Sequence, residues 1–329
     1  MLRQVLPPAG CARQVVPHDP PPHEMVERVL LLPDLSGVIF SQLCNTLDPS
    51  AAVAFSSASS ELWALTDAQR QQLKADYNAA AALSLKLGMQ GCKELREAKT
   101  VIHLCAERLS EDDLAAFSTL SSLLPALDKL VLSVNDERAA PDHDGVQRLA
   151  EKLGAGALPA LTWFGLYNMH VGDAGASALA AALDRGALPR LKHLRLTYAA
   201  IGDAGVAALA PALWRLPELR SLALSENRLL GDEGVVTALV APPPPAAGAP
   251  PPTGALKKLR QVWLNNTQIT DTSCFALAAA IRSGALPALH NVFLYQGTLV
   301  SAAARAAVFE ALVSLRGPCP FDRPVGSGG

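Results

Sequence analysis

The chain is poor in aromatic residues: Phe, Trp and Tyr make up 5% of its 329 residues. It has little net charge, 28 basic against 30 acidic side chains, and so no overall field to hold nucleic acid or an acidic surface. Half of the residues are apolar, enough for a large core, yet no apolar run approaches the ~20 residues of a membrane span. The 6 cysteines, Cys11, Cys44, Cys92, Cys105, Cys274 and Cys319, form no Cys-x-x-Cys pair. That scatter argues against a zinc site and against a secreted disulfide framework. Reduced thiols in a cytoplasmic or nuclear protein are the expectation. Gly-x-Ser-x-Gly, P-loop and dinucleotide fingerprints are missing, so no catalytic residue, metal or cofactor is expected.

What the chain does have is a phrase that returns. Leu158-Pro159-Ala160-Leu161 leads into Phe164, Leu166 and Val171, then Gly172-Asp173-Ala174-Gly175. Leu188-Pro189-Arg190-Leu191 leads into Leu194, Leu196 and Ile201, then Gly202-Asp203-Ala204-Gly205. The Leu-x-Leu segment alternates, as a strand with one buried face does. After Gly-Asp, apolar residues fall at helical spacing: Ala176, Leu179, Ala180 and Leu183, then Val206, Leu209, Ala210 and Leu213. The recurring acids Asp173, Asp203, Asp232 and Asp271 are placed to N-cap these helices rather than to act in pairs as acid and base.

One strand-helix unit cannot bury both its faces; stacked units can, and strands thinner than helices make the stack curve. Aligning the first apolar residue of each strand gives Ile102, Leu130, Phe164, Leu194, Leu222, Val262 and Val292, about seven units at roughly 28–30 residues each, with longer gaps where inserts intervene. The predicted fold is therefore α/β: a curved solenoid of residues 100–316, strands concave and helices convex, with a Pro-rich insert at 241–254 and an all-helical N-terminal segment.

These residues resemble the leucine-rich repeats of the ribonuclease-inhibitor-like subfamily. The resemblance implies a non-enzymatic protein-binding solenoid. It also implies an Asn, Cys or Thr three residues after the second strand leucine, bonded to neighbouring backbone. This chain has Asn135, Met169, Ala199, Asn227, Thr267 and Gly297 there, so looser or hydrated turns are expected where the polar side chain is lost. The chain is neither acidic nor cysteine-rich, and ribonuclease inhibition itself is not carried over.

Residues 25–99 do not follow the repeat. They read as helices over Leu35 to Leu47, Ser50 to Leu65 and Asp67 to Leu87, punctuated by Pro33-Asp34 and Asp48-Pro49-Ser50. Leu32-Pro33, Ile39-Phe40, Leu43 and the late Trp63 resemble an F-box, with Ser56 to Leu62 departing from the usual stretch before the tryptophan. That resemblance implies docking of a Skp-type adaptor of a cullin ubiquitin ligase through Leu32, Pro33, Ile39, Phe40, Leu43 and Trp63. The simpler reading is a helical cap covering the first repeat at Ile102 and Leu104. Residues 1–24 read as a disordered tail. Arg3 and Arg13 suit an organelle transit peptide, but Pro7, Pro8, Pro17 and Pro20 to Pro22 break the helix it needs. Residues 317–329 read as a second loose tail.

The variable strand positions point to the concave side. Three of the 4 tyrosines and two of the 4 tryptophans fall there. Trp163, Tyr167, His193, Arg195, Tyr198, Glu226, Trp263, Asn265, Phe293 and Tyr295 are the candidate partner-binding residues, since aromatic and Arg anchors in a polar surround describe a protein interface. Asp142-His143-Asp144 has metal-ligand residue types but no spacing to fix geometry. The insert of Pro242 to Pro245 and Pro250 to Pro252 reads as an extended solvated excursion. The expected function is binding a protein partner on the concave face, with substrate recognition for a cullin ligase as the sharper version. Alternatives are a small-GTPase regulator, since Ran GTPase activators have similar repeats, and a plain scaffold. No nucleic acid or membrane is expected as a partner.

Overall fold

Leucines at strand spacing demand a common buried face, and the strands supply it in one parallel sheet. The computed structural model describes residues 32–103, 109–133, 145–240, 256–295 and 297–316. Asn135, Asp142-His143-Asp144, the Pro-rich insert and both tails lie outside the described residues. Among the described residues seven strands run in chain order: β1 (Thr100–His103), β2 (Lys129–Ser133), β3 (Trp163–Tyr167), β4 (His193–Thr197), β5 (Ser221–Ala223), β6 (Gln261–Trp263) and β7 (Asn291–Phe293). Each is parallel to the next, and Leu130, Phe164, Leu194, Leu222, Val262 and Val292 stand side by side as their spacing predicts.

The first strand is the exception. Val101, not Ile102, pairs with Leu130; Val101 is buried and Ile102 is 46% exposed. Thr100-Val101-Ile102-His103 places two apolar residues, Val101 and Ile102, together, so alternation alone does not choose the face. The choice is made by packing, and a one-residue slip turns every side chain over.

Helices return the chain between strands: α6 (Glu111–Leu120), α7 (Gly145–Lys152), α8 (Gly172–Asp184), α9 (Asp203–Arg215), α10 (Asp232–Leu239) and α11 (Asp271–Arg282), with α12 (Ala302–Arg316) after β7. Their buried faces are small, for example Gly175, Ala176, Ala180 and Ala182 on α8. Strands ~4.8 Å apart joined to helices ~8–10 Å apart stack only as an arc with the strands inside. Leu127, Leu161, Leu191, Leu219, Leu259 and Leu289 repeat in the core below the strands, all fully or nearly buried. Each contributes roughly 1.5–3 kcal/mol of burial.

The recurring Asp works across the repeat boundary. The acids begin their own helices without capping them: the N-cap positions are Val171, Gly202, Gly231 and Thr270. Instead Asp173 Oδ1 accepts from the N–H groups of Gly202 and Gly205 in the next unit, at 2.8 and 3.0 Å. Asp203 accepts likewise from Gly231 and Gly234, Asp232 from Thr270 and Ser273, and Asp271 from Ser301. Each carboxylate thus satisfies the orphan donors, and meets the positive end, of the following helix. The second glycine of the motif exists for this approach: a Cβ on Gly205 would lie 2.5 Å from Asp173 Oδ1, and one on Gly234 2.7 Å from Asp203 Oδ1.

These bonds make stability acid-sensitive. Burial alone would raise the Asp232 carboxyl, but hydrogen bonds from Ser273 and Thr270 outweigh it and hold it below the ordinary carboxylate value. Asp271 is lowered too, chiefly by the Ser301 N–H. A folded-state pKa below the unfolded one stabilises fully above the unfolded value, ~3.9, and the gain is lost as pH falls through the folded value. Thermal melts from pH 7 downward should therefore show a loss below about pH 4 that is smaller in Asp232→Asn, which starts less stable at pH 7.

At two of the three positions that lack the polar residue the turn slot is filled rather than loose: Met169 and Ala199 are buried apolar side chains, while Gly297 is exposed. Asn227 serves two turns at once. Its Oδ1 accepts from Ala199 N and Ile201 N, and its Nδ2 donates to Leu196 O and Leu224 O. Thr267 donates to Leu264 O in its own turn.

The described residues form two compact units: one of Pro49–Gln72 with the residues up to Cys44, the other of Asn45–Asp48 and the chain from Leu73 onward. In the first unit lie α1 (Pro33–Leu43), α2 (Ser50–Ser56) and α3 (Ser60–Leu65). The helix expected to reach Leu47 stops at Leu43 because Asn45 makes its own turn, its Oδ1 accepting from Leu47 N. The one expected over Ser50 to Leu65 is two helices. Ser59 is extended and accepts from Leu62 N, starting a new helix. α4 (Asp67–Lys86) is continuous, as its sequence predicts, and α5 (Cys92–Glu97) follows. Within the second unit, Ala80, Leu83, Leu87, Cys92 and Leu95 join Val101 and Leu114 in the solenoid's core, so residues 73–97 close its first repeat. Lys86 pairs with Asp113 at 2.6 Å, and Asp113 also closes a capping box with Ser110 at the start of α6.

Candidate binding face

Parallel register lines up the outward-pointing residues of successive strands in rows. One row runs Lys129, Trp163, His193, Ser221, Gln261, Asn291; the next Val131, Gly165, Arg195, Ala223, Trp263, Phe293; the third pairs Ser133, Tyr167 and Thr197, and the repeat places Ser225, Asn265 and Tyr295 at the same position just past the paired residues of the later strands.

The aromatic side chains in these rows hold one another. Trp163 stacks on His193 at 4.5 Å between centroids. Trp263 stacks on Phe293 at 4.9 Å, nearly parallel, and Phe293 meets Tyr295 edge-on at 6.1 Å. Arg195 joins the two groups: its guanidinium carbon lies 4.6 Å from the Trp163 ring centroid and 4.7 Å from that of Trp263. Lys129 Nζ also lies 4.8 Å from the Trp163 ring centroid. Cation–π contacts of this kind stabilise by about 0.5–2 kcal/mol each. Two small residues make the geometry possible. Ala223 lies between Arg195 and Trp263 in the row, so the guanidinium passes over it. Tyr167 folds across Gly165, where a Cβ would stand 2.8 Å from its ring.

The turns leaving the strands repeat too. Asn168, Tyr198, Glu226 and Asn266 occupy the same position and all have positive φ, 51°, 55°, 65° and 53°. Asn tolerates this region; Tyr does not readily, and the Tyr198 N–H bond to Ser225 O helps to hold it. Tyr198 is thereby displayed, 45% exposed, and Tyr295 is 74% exposed. Asn265 and Glu226 are partly committed: Asn265 Oδ1 accepts from Tyr295 N at 2.8 Å, and Glu226 accepts from Asn266 Nδ2.

Charge on the face is positive toward the strand starts. Burial first, then the charges of Arg195, Arg220 and Lys192, push the His193 imidazole below its ordinary value, against an opposite pull from Asp128. His193 is therefore neutral at pH 7. Lys192 and Arg220 immediately precede β4 and β5, so strand alternation does not flag them. Their signal is the repeat itself, which places Lys192, Arg220 and Arg260 at one position. His290 follows in that row and is exposed. Elsewhere, burial is the main cause that pushes the Cys274 thiol up to about 11, with Asp271 and Asp232 adding to it; it is an inert core group. Among the described residues no cluster of His, Cys, Asp or Glu could hold a metal, and no helix is long and apolar enough to cross a membrane.

The F-box-like residues are placed differently. Leu32 and Trp63 are exposed, Ile39 and Leu43 are half-buried, and Phe40 is fully buried. Pro33 opens α1. Arg70 lies 3.4 Å over the Trp63 ring and donates to Trp63 O and Asp67.

A sequence-family profile described as Leucine Rich repeat matches residues 188–210 and 216–237, the segments spanning β4 with most of α9, and β5 with most of α10. The chain carries leucine-rich repeats. Solved leucine-rich repeat-like neighbours have low overall similarity. A structure titled Leiomodin-1 Actin-Binding Site 2 has TM-score 0.36 and 15% identity, over 64% of this chain and 91% of its own. The tropomodulin C-terminal domain of Caenorhabditis elegans has TM-score 0.34 and 13% identity, over 63% and 94%. The Rad7 and Elc1 complex of yeast has TM-score 0.28 and 15% identity, over 76% and 84%. No curated protein matches the chain by sequence.

Proposed function

We propose that the leucine-rich repeat domain binds a protein partner on its concave face, without catalysis of its own. The observation that carries this is the rigid ladder Trp163–Arg195–Trp263–Phe293–Tyr295 in a chain otherwise short of aromatics. Its rings already contact one another in the unpartnered chain, and such pre-organisation lowers the ordering cost of association. Large aromatic and Arg side chains are the residue types that dominate interface energies. A variant with Trp163, Tyr198, Trp263 and Tyr295 all changed to alanine should keep its fold and lose the partners captured by the parent chain. Retention of every partner at parental level would sink the reading.

A finer reading concerns the N-terminal helices. We infer that α1 to α3 are a docking module for a Skp-type adaptor, making the chain a substrate-recognition subunit of a cullin ligase. The supporting observation is that this small helical unit leaves Leu32, Val38, Val53, Trp63 and Leu65 exposed, more apolar surface than three short helices need show. Phe40, being buried, would support these residues from inside. Co-expression with a Skp-type adaptor tests it: the full chain should co-purify and a version lacking residues 25–65 should not. If neither is retained, the segment belongs to a plain scaffold.

A further inference from the structure

The centre of the concave face has donors without acceptors. Trp163 Nε1, Arg195 Nε, Arg220 Nε and Ser221 Oγ are buried and have no hydrogen-bond partner among the described residues. They lie on or just before three adjacent strands, β3 to β5, with Ser221 directly beside His193 in the register. An unmet buried polar group costs about 1–3 kcal/mol, so four at one place call for explanation. Charge points the same way, since Lys192, Arg195 and Arg220 all act on His193. Two acids act on this group, and both are hydrogen-bonded elsewhere: Asp128 accepts from Thr162, and Glu218, which also feels the charges of Arg220 and Lys192, is paired with Lys258. Neither Arg195 nor Arg220 has an ion-pair partner among the described residues.

We propose that this centre receives the carboxylates of a Glu- or Asp-rich polypeptide segment, with Arg195, Arg220 and Lys192 as the receiving cations. This rests on the concave-face reading and specifies the partner's chemistry. A carboxylate is an acceptor with several lone pairs and pairs with guanidinium in fork geometry. Single-stranded nucleic acid, the other polyanion, fits less well. It binds by stacking bases on free ring faces; here the Trp163 ring is contacted by His193, Lys129 and Arg195 and the Trp263 ring by Arg195 and Phe293, and the exposed Tyr198 and Tyr295 follow their strands whereas Lys192 and Arg220 precede theirs.

The test uses the full chain and two labelled probes of similar charge, octaglutamate and octathymidylate, with binding read by fluorescence anisotropy at low and at physiological salt. Octaglutamate should bind the parent, more weakly as salt rises. Arg220→Gln should weaken it about tenfold, the loss expected for one charge-assisted hydrogen bond. Arg195→Met should weaken it at least as much; because it also unlinks the two tryptophans, Arg220→Gln, outside that stack, carries the decision. Absence of octaglutamate binding, indifference to Arg220→Gln, or tighter binding of octathymidylate would each overturn the proposal. Loss of partner capture in the aromatic quadruple variant alongside any of these results would leave the concave-face reading standing and remove only the acidic assignment.

Discussion

Replacing Asn227 with alanine is expected to destabilise the repeat domain by about 3–5 kcal/mol, an effect seldom exceeded by a single substitution. The side chain is fully buried, and its amide completes the hydrogen bonding of two consecutive turns. Truncation strips the acceptor from the N–H groups of Ala199 and Ile201 and the donor from the carbonyls of Leu196 and Leu224. Each buried group left unmet costs about 1–3 kcal/mol before relaxation. The loss should be larger than usual because Ala199 fills the corresponding slot one unit earlier and offers no substitute. Urea unfolding checks it, and a shift under about 1 kcal/mol would mean that these turns draw on other partners or on solvent.

Gly205→Ala should rank next, at about 2–4 kcal/mol. The added methyl would sit 2.5 Å from Asp173 Oδ1, 2.8 Å from Ile201 Cγ2 and 3.0 Å from the Asp173 Cα. A carboxylate can swing away, but the Cα cannot without moving α8, and swinging away abandons the Gly202 and Gly205 N–H groups. Gly154→Ala is the control, because no atom of the described residues lies within 4 Å of its Cβ; it should be neutral or slightly stabilising. Adding Asp173→Ala to Gly205→Ala should cost less than the sum of the two single changes, since both lose the same hydrogen bonds. Full additivity would mean that the Asp is not what the glycine makes room for.

The repeat made most of the solenoid legible in advance. From Leu130 to Val292 a residue at one repeat position in sequence is a neighbour in the sheet, so aligned leucines become paired leucines. That rule fails at β1, where Val101 and Ile102 are equally apolar and only packing decides between them. It also misses the role of Asp173 and its successors. A first-turn Asp looks like a cap for its own helix; its true partners are about thirty residues away, visible only once the units are stacked. The helix boundaries near Asn45 and Ser59 were open to reading from turn chemistry, but apolar spacing across Ser50 to Leu65 conceals the break. On the concave face, strand alternation identifies Trp163, Arg195 and Trp263 as neighbours of one surface. It does not show that Arg195 crosses Ala223 to join the rings, nor that Lys192 and Arg220, one residue outside their strands, share the same field.

The most direct measurement is a hydroxyl-radical footprint of the chain with and without a captured protein partner, read at single aromatic side chains. Tyr198 and Tyr295 are exposed on the strand side, and Phe275 and Phe309 are exposed on helices α11 and α12. Binding on the concave face predicts that the two tyrosines become protected while the two phenylalanines react as before. Protection of Phe275 and Phe309 with the tyrosines unchanged would place the partner on the helices and contradict the reading.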